Sequence, residues 1–136
     1  PKEVTASCLC GAVKMACGNP TGTGSYCHCE DCRKSSGSAF SVAIPFQADQ
    51  FRLLRGKVGS FTKQAESGNV LTRNFCLECG APVFGTSPQQ PGLVYVKAGS
   101  INDQSLVQPT HQSWCQSKVE WAEIDEDIPS HPKGRT

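Results

Sequence analysis

The 136-residue sequence has no apolar run approaching the ~20 residues that a membrane helix needs. It also has no surplus of one charge: 13 basic against 12 acidic residues leave a net +1. A nucleic-acid partner normally leaves a strong basic excess or a clustered basic stripe, so neither membrane nor nucleic acid is an expected partner. The N-terminal stretch lacks the basic-then-apolar pattern of a secretion signal, and secretion is not expected. Long helical periodicity is nearly absent as well. The hydrophobic share of 38% is too high for a disordered chain, and the length suits one domain with a real core.

Cysteine is abundant, with nine residues. An odd, clustered set in a chain without a signal reads as metal binding rather than a disulfide framework, and it places the protein in the cytoplasm. The densest run is Cys27-His28-Cys29-Glu30-Asp31-Cys32. Three thiols cannot all pair with one another, whereas three thiolates can converge on one soft metal, most plausibly Zn²⁺. Three protein ligands leave the fourth tetrahedral position open, as in catalytic zinc sites. A fourth ligand from Cys115, Cys17 or His28 would close it. His28, lying between two ligands, is expected to point away from the metal. Cys17 reads as a small core residue, and Cys115, beside Trp114, as either a buried thiol or a pocket-lining one.

Two further pairs stand apart, Cys8-Leu9-Cys10 and Cys76-Leu77-Glu78-Cys79-Gly80. The second has the spacing of a zinc knuckle, with a glycine that lets the backbone turn beneath the metal. Together Cys8, Cys10, Cys76 and Cys79 make a closed four-thiolate site with a structural role. Such a site contributes on the order of 10 kcal/mol to folding. The alternatives are a Cys8/Cys10 redox pair or one iron–sulfur centre taking all seven clustered cysteines.

The rest of the pattern is all-β. Strands are expected at Val4–Cys8 and Gly11–Cys17, with Gly11 at the corner between them, and at Ser38–Phe46. Phe51–Leu54 suits a strand or a turn. Val58–Lys63 with Asn69–Phe75, and Pro82–Gly85 with Leu93–Ala98, read as hairpins, and Val119–Ile124 as a last strand. One short helix is expected after Cys29, with Glu30 and Asp31 at its positive end and Gly37 as a left-handed cap. Residues 1–127 are expected to form a single zinc-binding domain and 128–136 a loosely held tail. Glu120, Glu123, Asp125, Glu126 and Asp127 read as a solvated face.

Three thiolates leave a zinc site at net −1, a weak electrophile that is poorly suited to acidifying water. It can still take a substrate thiol and hold it as thiolate, a nucleophile toward aldehydes. In reverse it stabilises a departing thiolate. The expected chemistry is making or breaking a carbon–sulfur bond. The alternative is a non-catalytic zinc scaffold that binds another protein.

With these motifs in this order, the chain resembles the glutathione-dependent formaldehyde-activating enzyme family, which includes centromere protein V and has the Mss4-like fold. The resemblance runs from about Thr5 to Trp121. It rests on Cys8-Leu9-Cys10-Gly11, on Cys27 to Arg33 with Gly37, on Arg73-Asn74-Phe75-Cys76-Leu77-Glu78-Cys79-Gly80, on Gly99-Ser100-Ile101-Asn102-Asp103, and on Pro109-Thr110-His111 with Trp121. It implies a small β-tent of short antiparallel strands, a structural zinc on Cys8, Cys10, Cys76 and Cys79, and a catalytic zinc on Cys27, Cys29 and Cys32. It further implies carbon–sulfur lyase activity forming S-hydroxymethylglutathione, with glutathione or another small thiol adduct as partner. Gln112 stands where the family usually carries isoleucine, and Cys115 is an additional thiol. Beside the open position, Phe40 and Trp114 are candidates for substrate binding and His111 for general acid–base work. Arg33 and Lys34 could meet an anionic substrate.

Overall fold

The computed structural model describes residues 3–124 and 127–134. The described residues form ten short strands and one helix of more than a single turn. A three-stranded sheet holds β1 (Val4–Ser7), β2 (Lys14–Cys17) and β5 (Arg52–Arg55) in the order β1-β2-β5. A seven-stranded sheet holds β3 (Ser25–Cys27), β4 (Ser41–Gln47), β6 (Val58–Gln64), β7 (Val70–Cys76), β8 (Pro82–Thr86), β9 (Leu93–Lys97) and β10 (His111–Ser113). Its order is β10-β3-β4-β9-β8-β7-β6. All pairs are antiparallel except β10 with β3, which is parallel. This is the small all-β architecture that the strand pattern predicts, in the Mss4-like form that the family resemblance implies.

The core lies between the sheets. Val4, Ala6, Met15 and Cys17 of the small sheet pack with Ile44, Phe46, Val83, Val94 and Val96 of the large one. Successive strand residues face opposite ways, so burying Val94 and Val96 sends Tyr95 and Lys97 to the outer face. In β4 the same alternation buries Ile44 and Phe46 and turns Ser41, Ala43 and Pro45 outward. Pro45 has no N–H for a ladder, and it sits where β3 no longer pairs with β4.

The helix α1 (Glu30–Ser36) starts and stops where its sequence dictates. Cys29 is the N-cap, its sulfur accepting the Cys32 N–H, and Gly37 at φ 71° closes the last turn by donating to the Arg33 carbonyl. Val119–Ile124, expected as a strand, is turn and irregular chain. Its alternation is strand-like, but among the described residues no partner strand lies alongside, and Trp121 is 72% exposed. The two three-residue strands β3 and β10 are too short for periodicity to reveal. Glu120, Glu123 and Asp127 are exposed, in keeping with a solvated face, whereas Asp125 and Glu126 lie outside the described residues.

The segment expected as a loose tail is held along β10. Gln112 donates its N–H to the Pro129 carbonyl and accepts from the His131 N–H, while Trp114 and Cys115 donate to the carbonyls of Lys133 and His131. Side chains tie the same strip together. His28, fully buried, has Nε2 2.8 Å from Gln112 Oε1. The Gln112 amide donates to Ser130 Oγ at 3.3 Å, and Ser130 donates to the Ile128 carbonyl. With its amide N–H₂ facing Ser130, Gln112 presents an acceptor to His28, so the imidazole donates from Nε2. Gln112 thus gives Nε2 of a buried histidine its partner, while Nδ1 has none among the described residues.

Close approach at the start of β3 requires a glycine. Gly24 lies at φ +80°, and a Cβ there would stand 2.5 Å from the Ala43 carbonyl oxygen and 2.8 Å from Ile44 Cδ1. Gly24→Ala is expected to cost about 2–3 kcal/mol through backbone strain and clash. Gly68→Ala, at φ +93° in open space, should cost only about 1 kcal/mol. Thermal unfolding of the two variants checks the difference. Gln112→Leu should cost roughly 1–3 kcal/mol by stranding His28 Nε2, and amide exchange should quicken across 129–133.

Candidate metal centres

Two backbone corners meet at the first cysteine group. The β1–β2 corner turns through Gly11 at φ +81° and the β7–β8 corner through Gly80 at φ +77°. They bring Cys8, Cys10, Cys76 and Cys79 together, all four sulfurs within 4.8 Å of one another. The Cys8–Cys10 and Cys10–Cys76 sulfurs lie 3.7 and 3.8 Å apart. A tetrahedron with zinc–sulfur bonds of ~2.3 Å has edges of about 3.8 Å, so the donor set fits that ion. Backbone amides face the sulfurs as they do around thiolates: Val13 N–H donates to Cys8, Ala12 to Cys10, and Glu78 and Cys79 to Cys76.

The second group is Cys27, Cys29 and Cys32, again within 4.8 Å, and among the described residues no fourth His, Cys, Asp or Glu joins it. Cys27 comes from β3, Cys29 from the helix cap and Cys32 from the first turn of α1. The sulfurs share hydrogen bonds. Those from Cys29 and then Cys32, helped by Ser113, hold the Cys27 thiol down to about 3. The same sharing, led by Cys27 in each case, pushes Cys29 and Cys32 up. Three thiols this close compete for protons. A divalent cation relieves that competition, which is the fit expected of a thiolate metal site.

The register supplies neighbours that sequence reading missed. Ser113 of β10 and Ser41 of β4 stand opposite Cys27 on either side of β3. Lys97 stands opposite Ala43, on the same outer face, and its ammonium donates to Ser41 Oγ. Burial pushes the Lys97 pKa down, the Cys32, Cys27 and Cys29 sulfurs push it back up, and the Arg73 charge is also felt there. Arg73 shares this face through the pairs Arg73–Gly85 and Gly85–Tyr95. The outward alternation of Lys97 against Val94 and Val96 was visible in the sequence. Its place beside the trio was not, since it depends on strand order.

The other candidates are dispersed. Phe40 packs edge-on against Tyr26 and His28, with centroids 5.0 and 5.8 Å apart. It lines an open cleft of about 810 Å³ together with Ser36, Ser41 and Lys97, and the far end of the cleft reaches Cys8. His111 is buried on β10, its Nδ1 3.5 Å from Thr110 Oγ1 and its ring centroid 6.1 Å from that of His131. Trp114 takes a left-handed φ of 56°, turning the chain away after Ser113. Neither His111 nor Trp114 lines the cleft. Lys34 pairs with Glu30 on the helix surface and Lys63 with Asp31, so Lys34 is already matched. Cys17 is fully buried, and burial pushes its thiol up to about 11, an inert core residue. Cys115 is half-buried and belongs to neither group.

No helix is long and apolar enough to cross a membrane. No curated protein matches the chain. Among solved structures, a Rhodobacter sphaeroides protein superposes with a TM-score of 0.60 at 20% identity, over 77% of this chain and 96% of that one, a likeness of fold. The model of the glutathione-dependent formaldehyde-activating enzyme family matches residues 3–117. The match covers both cysteine groups and every strand, and the chain belongs to that family.

Proposed function

We propose that this chain is a zinc-dependent carbon–sulfur lyase or synthase that makes or breaks a small-molecule thiol adduct, with S-hydroxymethylglutathione-type chemistry. The observation that carries the reading is the three-sulfur group that no fourth donor joins among the described residues, with the half-buried Lys97 on the same face of the sheet. When bound there, Zn²⁺ would offer one vacant position to a guest sulfur and favour its deprotonated form. Cys27, Cys29 and Cys32 are the ligands of this catalytic ion, and Cys8, Cys10, Cys76 and Cys79 hold a structural one.

The surrounding residues orient the site. Ser113 donates to Cys27, which fixes that sulfur and increases its anionic character. Cys29 is fixed by the Cys32 N–H at 3.3 Å. Phe40 gives the cleft an apolar wall beside Ser41 and admits the carbon portion of an adduct. His111 lies two residues from Ser113 on the same face of β10 and is assigned to moving the proton on the adduct oxygen. Trp114 is assigned to the rim of the site. The working compartment is the cytoplasm, where thiols stay reduced. Glutathione is the thiol that the family's description names.

The division of labour between the groups is tested by elemental analysis, circular dichroism and activity with glutathione and formaldehyde. Cys29→Ser should leave a folded protein with one zinc and turnover reduced by at least about 100-fold. Cys76→Ser should lose cooperative folding, since on the order of 10 kcal/mol rests on that site. Full activity in Cys29→Ser would rule the proposal out.

A further inference from the structure

Lys97 belongs to no cysteine group and to no motif of the sequence, yet the fold places it beside the trio with its ammonium half-buried. It sits at the end of β9, opposite Ala43, and donates to Ser41 Oγ, while Ser41 itself stands across the ladder from Cys27. Lys97 also lines the open cleft of about 810 Å³, together with Ser41. Arg73 projects on the same outer face, opposite Gly85 of β8, whose partner on β9 is Tyr95, two residues from Lys97. The acidic groups of α1 do not compete for these cations, because Glu30 pairs with Lys34 and Asp31 with Lys63.

Charge counting gives the pair a task. A dication held by three thiolates is singly negative, and a fourth, guest thiolate makes it doubly negative. That second negative charge is unfavourable in a partly desolvated site unless cations face it. Lys97 and Arg73 supply two positive charges on the face where the trio lies. A lysine holding only a carboxylate arm of the guest would act on some thiols and not others. A lysine balancing the guest sulfur would act on all of them.

We infer that Lys97, with Arg73 behind it, is the residue that selects an anionic sulfur at the trio, by balancing the charge that a guest thiol brings when it binds and releases its proton to solvent. Lys97 is thereby a specificity-determining residue for thiols as a class, and not a holder of one substrate's carboxylate. This rests on the reading of the trio as a thiol-binding site.

The test uses protein loaded with Co²⁺ at the trio, whose thiolate-to-metal absorption, already present from the three cysteines, changes in intensity and position when a guest sulfur binds, without turnover. The probes are 2-mercaptoethanol, which is neutral apart from its thiol, and 3-mercaptopropionate, which adds a carboxylate. Lys97→Met and Lys97→Gln should weaken binding of both thiols by roughly 10- to 100-fold at pH 7, the effect of one nearby charge. Lys97→Arg, which keeps the charge, should restore most of the affinity. Metal content of the four-cysteine group and circular dichroism confirm folding in each variant. Wild-type affinity for 2-mercaptoethanol in both neutral variants, or a loss confined to 3-mercaptopropionate, overturns the inference and leaves the thiol site standing. Wild-type protein that binds neither thiol overturns both.

Discussion

Two corners 66 positions apart in the chain meet through four sulfurs, and most of the fold is arranged around that meeting. Thiols packed 3.7–3.8 Å apart do not rest comfortably as thiols. The Cys8 thiol is pushed up by burial, but the Val13 amide and its sulfur neighbours bring it down to about 6. Cys10 is drawn down by the Ala12 amide, yet burial and the same neighbours push it up to about 12. One cation would resolve the conflict for all four and cross-link the chain. The closed loop contains β3, α1 and β4 to β6, so the second cysteine group is carried on a segment pinned at both ends. Closing so long a loop by weak contacts alone would cost conformational entropy that grows with its length.

The large sheet then separates two environments. Its inner face, with Ile44, Phe46, Val94 and Val96, is closed by the small sheet. Its outer face carries Cys27, Ser41 and Ser113 on β3 and its two neighbours, with Lys97 on β9 and Arg73 farther along on β7. A half-buried ammonium with only a serine for company would be an expensive neighbour to an apolar core. Next to a cluster of sulfurs with negative character it is favourable, and each side explains the other's presence. Strand alternation is enough to produce this division, because one residue of slip would exchange the two faces.

Much of this was legible in the sequence. The hairpins β6–β7 and β8–β9, strand β4 and the capped helix follow from alternation, turn residues and the Cys29-to-Gly37 boundaries. Both cysteine groups follow from spacing. What could not be read depends on partners far away in the chain. Strands β3 and β10 are three residues each and exist because they pair in parallel across more than 80 positions. Val119–Ile124 has the alternation of a strand without a strand to meet. Gln112 looked like a departure from the family pattern until His28, 84 positions away, gave it a partner. The role of Lys97 is invisible for the same reason: the sequence shows which face it takes, and only the strand order shows what lies there.

A metal site that is to accept a guest must also keep the chain's own donors away, and the nearby ones are each engaged elsewhere. His28 is adjacent to two of the trio, but its ring is on the opposite side of the strand, held by Gln112 and packed against Phe40. Cys17 is sealed within the inner core. The left-handed turn at Trp114 takes Cys115 toward the C-terminal strip, where its N–H binds the His131 carbonyl. That strip is itself fastened to Gln112. By clamping β10, residues 129–133 hold Ser113 toward Cys27 and Gln112 toward His28. On this view the opening at the trio is maintained by the same hydrogen bonds that attach the C-terminal segment, which couples the end of the chain to the geometry of the site.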